Sequence, residues 1–239
     1  MRSIILLLSL IICTPNILAA QMFSVDGEQK VDAHFNSSVH VGYSDVSFEY
    51  IGDSPAITGD RSLEMNPSLI NIQYHTPGVR IDLIGGNQLI GNDKASFVRL
   101  GVELGTESFL LREPRLQIAV PFRVETAITA ATKEGYSTRF YQTAFSGGFG
   151  GIIKMRPTRF FSLSSGATKW YGFSNSAGNF FGGNTDQFKT ETVLHIKPSR
   201  GGRGFYISYE TLFQDFNIDG MDFDYRSNIN LFSIGLDFK

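Results

Sequence analysis

"INLFSIGLDFK", Ile229–Lys239, alternates without a slip. Phe232, Ile234, Leu236 and Phe238 project to one side of an extended chain, and Leu231, Ser233, Gly235 and Asp237 to the other, because successive strand residues face opposite ways. One lysine follows. The same pattern recurs upstream. "SLINIQYH" sets Ile70, Ile72 and Tyr74 against Asn71, Gln73 and His75, and "VRIDL" sets Val79, Ile81 and Leu83 against Arg80 and Asp82. "FVRLGVEL" opposes Val98, Leu100, Val102 and Leu104 to Arg99, Gly101 and Glu103. In "RLQIAVPFRVETAI", "FKTETVLHI" and "FYISYETLF" the charges Arg123, Glu125, Lys189, Glu191 and Glu210 again share the polar parity. Several runs last a dozen residues or more. Soluble strands average roughly five or six residues, whereas a tilted strand crossing a bilayer needs about 9–11.

The punctuation between runs has two lengths. "HTPGV", "REPR", "MRPTR" and "KPSRGG" are tight turn signals built on Pro77, Pro114, Pro157 and Pro198. They alternate with longer polar stretches: "IGDSPAITGDRSLEMN", "GGNQLIGNDK", "TAATKEGYST", "NSAGNFFGGNTD" and "DFNIDGMDFDY". Short turns at one end and longer loops at the other are the pattern of an antiparallel up-and-down transmembrane β-barrel. The spacing predicts about ten strands, with eight or twelve as alternatives, and an even count places both termini in the periplasm.

"MRSIILLLSLIICTPNILAA" has the layout of a secretory leader, with Arg2, an apolar run Ile4–Cys13 and small residues at Ala19 and Ala20. Residues 1–20 are therefore expected to be a signal peptide and 21–239 the barrel. Cleavage removes Cys13, the sole cysteine, so neither a disulfide framework nor a thiol site is available to the mature chain. Ile12 before Cys13 is too bulky for a good lipoprotein signal. Charge is nearly balanced, at −2, without a basic block, which argues against nucleic acid as a partner. Helical reading fails: "YQTAFSGGFGGIIKM" carries four glycines. As a strand it leaves a face of Gln142, Ala144, Ser146, Gly148 and Gly150, small enough for a crowded barrel interior.

Alternation alone does not say which face meets water. The charges do: Lys or Arg at the lipid midplane costs roughly 2–4 kcal/mol, and Arg80, Asp82, Arg99, Glu103, Arg123, Glu125, Lys189, Glu191 and Glu210 all fall on the polar parity. The apolar face is thus assigned to lipid. Aromatic girdles are expected at Tyr74, Phe161, Phe205 and Phe238 near the turn end and at Tyr50, Tyr171, Phe173 and Phe213 near the loop end. Lys169 breaks the parity close to the outer rim. "SVHVGYSDVSFEYIG" changes phase near Asp45, which predicts a bulge.

The leader, the long alternating strands and the final run resemble the small bacterial outer-membrane β-barrels, the broad OmpA-like group. In that group the last residue is usually Phe, preceded by apolar residues at every second position, a feature read by the barrel-assembly machinery. Phe238, Leu236, Ile234 and Phe232 match it, displaced one place by Lys239. The resemblance implies an architecture, a Gram-negative outer-membrane location and lipid as partner. It does not imply an activity.

Three chemistries are open to these residues. Lumen charges are expected to pair and plug the barrel, with Arg99–Glu103 or Arg123–Glu125 as candidate pairs, since a lone buried charge costs several kcal/mol. An enzyme would need a base at the outer rim. His34, His40, His75 and His195 all map toward the periplasmic end. Asp215, Asp219, Asp222 and Asp224 are a weak Ca²⁺ candidate set without EF-hand spacing. "GGFGG" and "GGRGF" lack the lysine and helix of a phosphate loop. The expectation is a monomeric, cofactor-free, non-enzymatic barrel with a structural or surface-interaction role. The alternatives are a narrow channel for a small solute and, after that, a lipid-active enzyme.

Overall fold

The computed structural model describes residues 37–52, 63–87, 95–135, 139–176, 179–197, 203–218 and 224–238. The leader, His34 and Lys239 lie outside them. Ten strands follow one another: β1 Ser37–Tyr50, β2 Ser68–Thr76, β3 Val79–Asn87, β4 Ala95–Arg112, β5 Leu116–Lys133, β6 Phe140–Met155, β7 Phe161–Ser176, β8 Asn179–Ile196, β9 Phe205–Ile218 and β10 Tyr225–Phe238. Each pairs antiparallel with its sequence neighbours, and β10 closes on β1. The result is an up-and-down barrel of ten strands. Closure leaves no unpaired edge. "INLFSIGLDF" is the closing strand, with Phe238 opposite Ser37 and Phe232 opposite Tyr43. The inner end carries β1's start, β10's finish and the tight turns. At the first of these turns Gly78 takes φ 75°, a left-handed conformation that favours glycine.

Of the five stretches expected to be outer loops, 175–186 is largely strand, and strand extends into the beginnings of 129–138 and 215–225. β5 runs on to Lys133, β7 and β8 leave residues 177–178 between them, and β9 reaches Ile218. β4, β5 and β8 each have 18 residues, about eight more than a bilayer crossing uses. The strands therefore project beyond the apolar band. In β5, Pro121 stands opposite Glu107, while Val120 and Pro121 pair with nothing on β6. A proline there removes a ladder donor at a point where the pairing is already interrupted.

Facing follows parity in every strand. Val41, Ile72, Ile81, Leu100, Val124, Phe149, Phe188 and Ile234 are exposed on the outside, and Arg80, Asp82, Arg99, Glu125, Lys189 and Glu210 are buried inside. Apolar surface out and charge in is the reverse of a soluble barrel, and it suits a lipid solvent. The expected bulge in β1 is absent. Its register runs unbroken from Ser37↔Phe238 to Tyr50↔Tyr225. What changes near Asp45 is the surroundings. Beyond that level Val46 and Phe48 turn inward and are buried, while Asp45 and Ser47 point out. β10 makes the same exchange, with Tyr225, Ile229 and Leu231 inside and Arg226 exposed outside. The outer ends of β1 and β10 are thus built like a soluble barrel, apolar inside and polar outside.

Candidate functional site

The lumen is filled in layers. At the inner end, His40 and His75 lie with ring centroids 4.4 Å apart, and His195 stacks on Tyr206 at 4.2 Å. His195 Nε2 is 3.3 Å from Asp237 Oδ2, and Asp237 also accepts the Gly204 amide at 3.1 Å. Gly235 faces His40. A side chain there would place its Cβ 2.6 Å from the imidazole, so the glycine in the closing strand makes room for that ring.

Above this layer lies a belt of charges. Arg99 bonds Asp82 at 2.5 Å and Glu125 at 2.6 Å. Arg123 bonds Glu103 at 2.9 Å and reaches Glu191 at 3.9 Å. Arg80 bonds Glu191 at 3.2 Å and also pairs with Glu210. Lys189 bridges Glu103 at 3.1 Å and Glu210 at 3.2 Å, and the Gln73 amide donates to Glu210 at 2.9 Å. All nine belt residues singled out by parity are brought together. The specific pairs named beforehand are not the ones formed: Arg99 does not take Glu103, nor Arg123 Glu125. Arg99 and Glu103, four apart on one strand, are separated by roughly 13 Å. Arg123 and Glu125, two apart at about 7 Å, take Glu103 and Arg99 across the β4–β5 ladder instead. Cross-strand and diagonal neighbours lie at about 5–8 Å.

The register makes these partners necessary. Glu103 lies directly opposite Glu125, and Glu191 directly opposite Glu210. Like charges facing across a ladder destabilise it. Arg99 and Arg123 neutralise Glu125 and Glu103 across the β4–β5 ladder, and Arg80 reaches Glu191 and Glu210 from the far wall. β3, which carries Arg80, stands five strands from β8 in either direction round the ring, so the Arg80–Glu191 bond crosses the barrel axis. Gly101 lies opposite Asp82, and a Cβ on it would sit 2.6 Å from a carboxylate oxygen. Its bare backbone leaves space for the Arg99–Asp82 contact.

Next outward is a neutral polar layer. Gln187 Nε2 donates to Ser146 Oγ at 3.1 Å and Gln214 Nε2 to Thr185 Oγ1 at 3.3 Å. Trp170, the single tryptophan, is buried here. It lies across from Gly148, where any Cβ would collide with the indole. The small face of β6 read from the sequence is the berth of that ring.

The outermost layer is an apolar plug. Phe48, Phe97, Phe140, Phe216 and Tyr225 form a connected aromatic set: Phe48–Phe140 at 4.8 Å, Phe140–Phe216 at 5.1 Å and Phe140–Tyr225 at 4.9 Å. Leu63 and Met65, from the β1–β2 connection, fold in over it and are fully buried. The Met65 amide donates to the Phe48 carbonyl at 2.9 Å, which extends the ladder above β2. A void at the junction of belt and plug is lined by Arg80, Arg99 and Glu125 below and by Ile84, Leu212 and Leu231 above. Its size is at most that of one water.

The girdles are as follows. Tyr74, Phe161 and Phe238 are exposed outward at the inner end, as are Tyr171 and Phe213 farther out. Phe205 and Phe173 share the outward parity and are half-buried. Tyr50 does not face lipid. It has the inward parity and packs on Tyr225, with centroids 5.3 Å apart. Tyr43 and Tyr209 also face outward, outside the girdles expected from the sequence. Tyr43 donates to Asp45 at 2.7 Å, and Tyr209 donates to Asn230 at 3.2 Å. Tyr43 lies two residues from Asp45, and Tyr209, opposite Phe232, reaches Asn230 on the diagonal. Lys169 does face outward, paired with Asp186 and 5.2 Å over the Tyr171 ring.

The acidic set does not converge. Asp215 points outward and binds Arg226 at 2.8 Å, while Asp224 turns in and accepts the Ile218 amide at 2.9 Å. Asp219 and Asp222 lie outside the described residues. The plug, too, was missed beforehand. Its signal was the exchange of parity in "SDVSFEY" and "QDFNI", which reads as a loop or a bulge until the neighbouring strands are in place.

No family model matches the chain, and no curated protein matches it. Among solved structures it is similar to the translocator domain of the autotransporter NalP from Neisseria meningitidis, with 8% identity over 93% of each chain and a TM-score of 0.38. Neisserial surface protein A is similar at 10% identity, over 84% of this chain and 97% of that one, with a TM-score of 0.33. Ail, the attachment invasion locus protein of Yersinia pestis, is similar at 13% identity, over 85% of this chain and 98% of that one, with a TM-score of 0.23.

Proposed function

We propose that this protein is an integral outer-membrane barrel of a Gram-negative envelope whose lumen is shut, with a structural or surface-interaction role and no catalysis. The observation that carries the reading is the pair of successive closures: ion pairs crossing the barrel axis, and above them an apolar aromatic plug. A solute would have to break charge pairs and then displace packed rings. The described histidines lie at the inner end, among lumen side chains, far from the outer rim where a lipid or peptide substrate would arrive. The outward apolar band takes lipid as its partner, the closing strand serves the assembly machinery, and the barrel works as a monomer.

Planar-bilayer recording tests this. The folded protein is expected to give no stable conductance. Porin-sized steady currents would overturn the shut-lumen reading, and calcium-dependent lipid hydrolysis by purified protein would overturn the non-catalytic one.

A further inference from the structure

Charge is distributed unevenly along the barrel axis. Beyond the belt, the inner end is basic and the outer end acidic. The inner cations concentrate on one arc, the turns β4–β5 and β6–β7. Arg112, Arg115, Arg156 and Arg159 are exposed there, and the sole carboxylate on those two turns is Glu113. Lys154 beside them is already paired with Glu107 at 2.5 Å. The two turns are tied together, since the Arg156 amide donates to the Arg115 carbonyl at 2.8 Å. The four guanidiniums therefore share one short rim.

This rim borders the apolar band. Leu110, Leu116, Met155, Phe160 and Phe161 are exposed immediately beside it, Leu110 at 73%. One guanidinium lies over an exposed ring, Arg159 at 4.7 Å from Phe160. Arg112, opposite Gln117, lies 5.1 Å from Phe109, which stands opposite Ala119 on the inward face at the barrel mouth. Arginines whose stems lie along apolar surface, with charge at its edge, are placed where headgroups are, not out in the aqueous phase. Guanidinium pairs phosphate through two parallel N–H···O bonds.

We infer that the β4–β5 and β6–β7 rim binds anionic phospholipid headgroups of the leaflet at the inner, turn-bearing end, and so orders a shell of acidic lipid on that side of the barrel. Charge complementarity and continuity with the lipid-facing band single out a phospholipid over a soluble acidic partner. The inference rests on the membrane reading of the barrel. A basic residue near an anionic surface contributes roughly fivefold in binding. Four sharing one rim are expected to give at least about a tenfold preference for the anionic lipid, weakened by salt.

The test is native mass spectrometry of the folded protein released from micelles doped with equal phosphatidylglycerol and phosphatidylethanolamine. The wild type is expected to retain phosphatidylglycerol at least about tenfold over phosphatidylethanolamine. Arg112→Gln/Arg115→Gln/Arg156→Gln/Arg159→Gln should lose that preference, while Arg226→Gln at the other end should keep it. Heat-modifiable gel mobility reports barrel formation separately. Its absence in the wild type would refute the membrane barrel itself. Equal retention of both lipids by a folded wild type, or unchanged preference in the folded quadruple variant, would overturn the lipid site alone.

Discussion

Replacing Arg99 with methionine removes one side chain and strands two carboxylates. Arg99 is 2% exposed and lies 2.5 Å from Asp82 and 2.6 Å from Glu125. Breaking a buried pair by deleting one partner costs about 3–5 kcal/mol. Two contacts are lost here, and neither carboxylate has another cation within bonding distance among the described residues, so the upper half of that range, about 4–5 kcal/mol, is expected for Arg99→Met. Trp170 is a ready probe, being the single tryptophan and buried in the layer next to the site. Its emission can be followed through urea unfolding in micelles. With an m-value of roughly 2–3 kcal/mol/M, the midpoint should fall by about 1.5–2.5 M. The same reasoning predicts rescue. Arg99→Met with Asp82→Asn and Glu125→Gln leaves no unpaired charge, and neutral replacement of a whole buried ionic group is often nearly free. The triple variant should recover most of the loss. A fall under about 1 kcal/mol for the single variant, or a triple variant no better than the single, would refute the claim that this belt is held by mutual neutralisation.

The other perturbations separate the layers. Phe140→Ala empties the centre of the aromatic plug and should cost about 3–5 kcal/mol in the same unfolding assay. It should still give no bilayer conductance, because the belt remains shut beneath it, and steady current from this variant would mean that the plug alone closes the lumen. Leu100→Arg on the lipid face should cost about 2–4 kcal/mol, whereas Asn184→Arg, outward-facing but near β8's outer end, should cost under about 1 kcal/mol. Equal costs at the two positions would contradict the boundary between lipid and water drawn at the level of Tyr43 and Asp45.

Much of this barrel is written locally. Strand identity, face and turn position follow from the two-residue period and from prolines at fixed places, because both act over a few bonds. That is why Phe232 to Phe238 could be placed on lipid and Arg80 to Glu210 in the lumen from the sequence alone. Partner choice is a different matter. Arg80 reaches Glu191 and Glu210 because closure of ten strands sets β3 facing β8, and no separation along the chain encodes that distance. The phase change at Asp45 was equally opaque. Its inward Phe48 is stabilised by Phe97, Phe140 and Tyr225, which lie on three other strands. A bulge and a change of solvent therefore look alike in one strand. The sequence determined which side of every strand is apolar. The tertiary structure decided what lies on that side, lipid below and a packed core above, since that depends on how far each strand stands out of the membrane once the ring has closed.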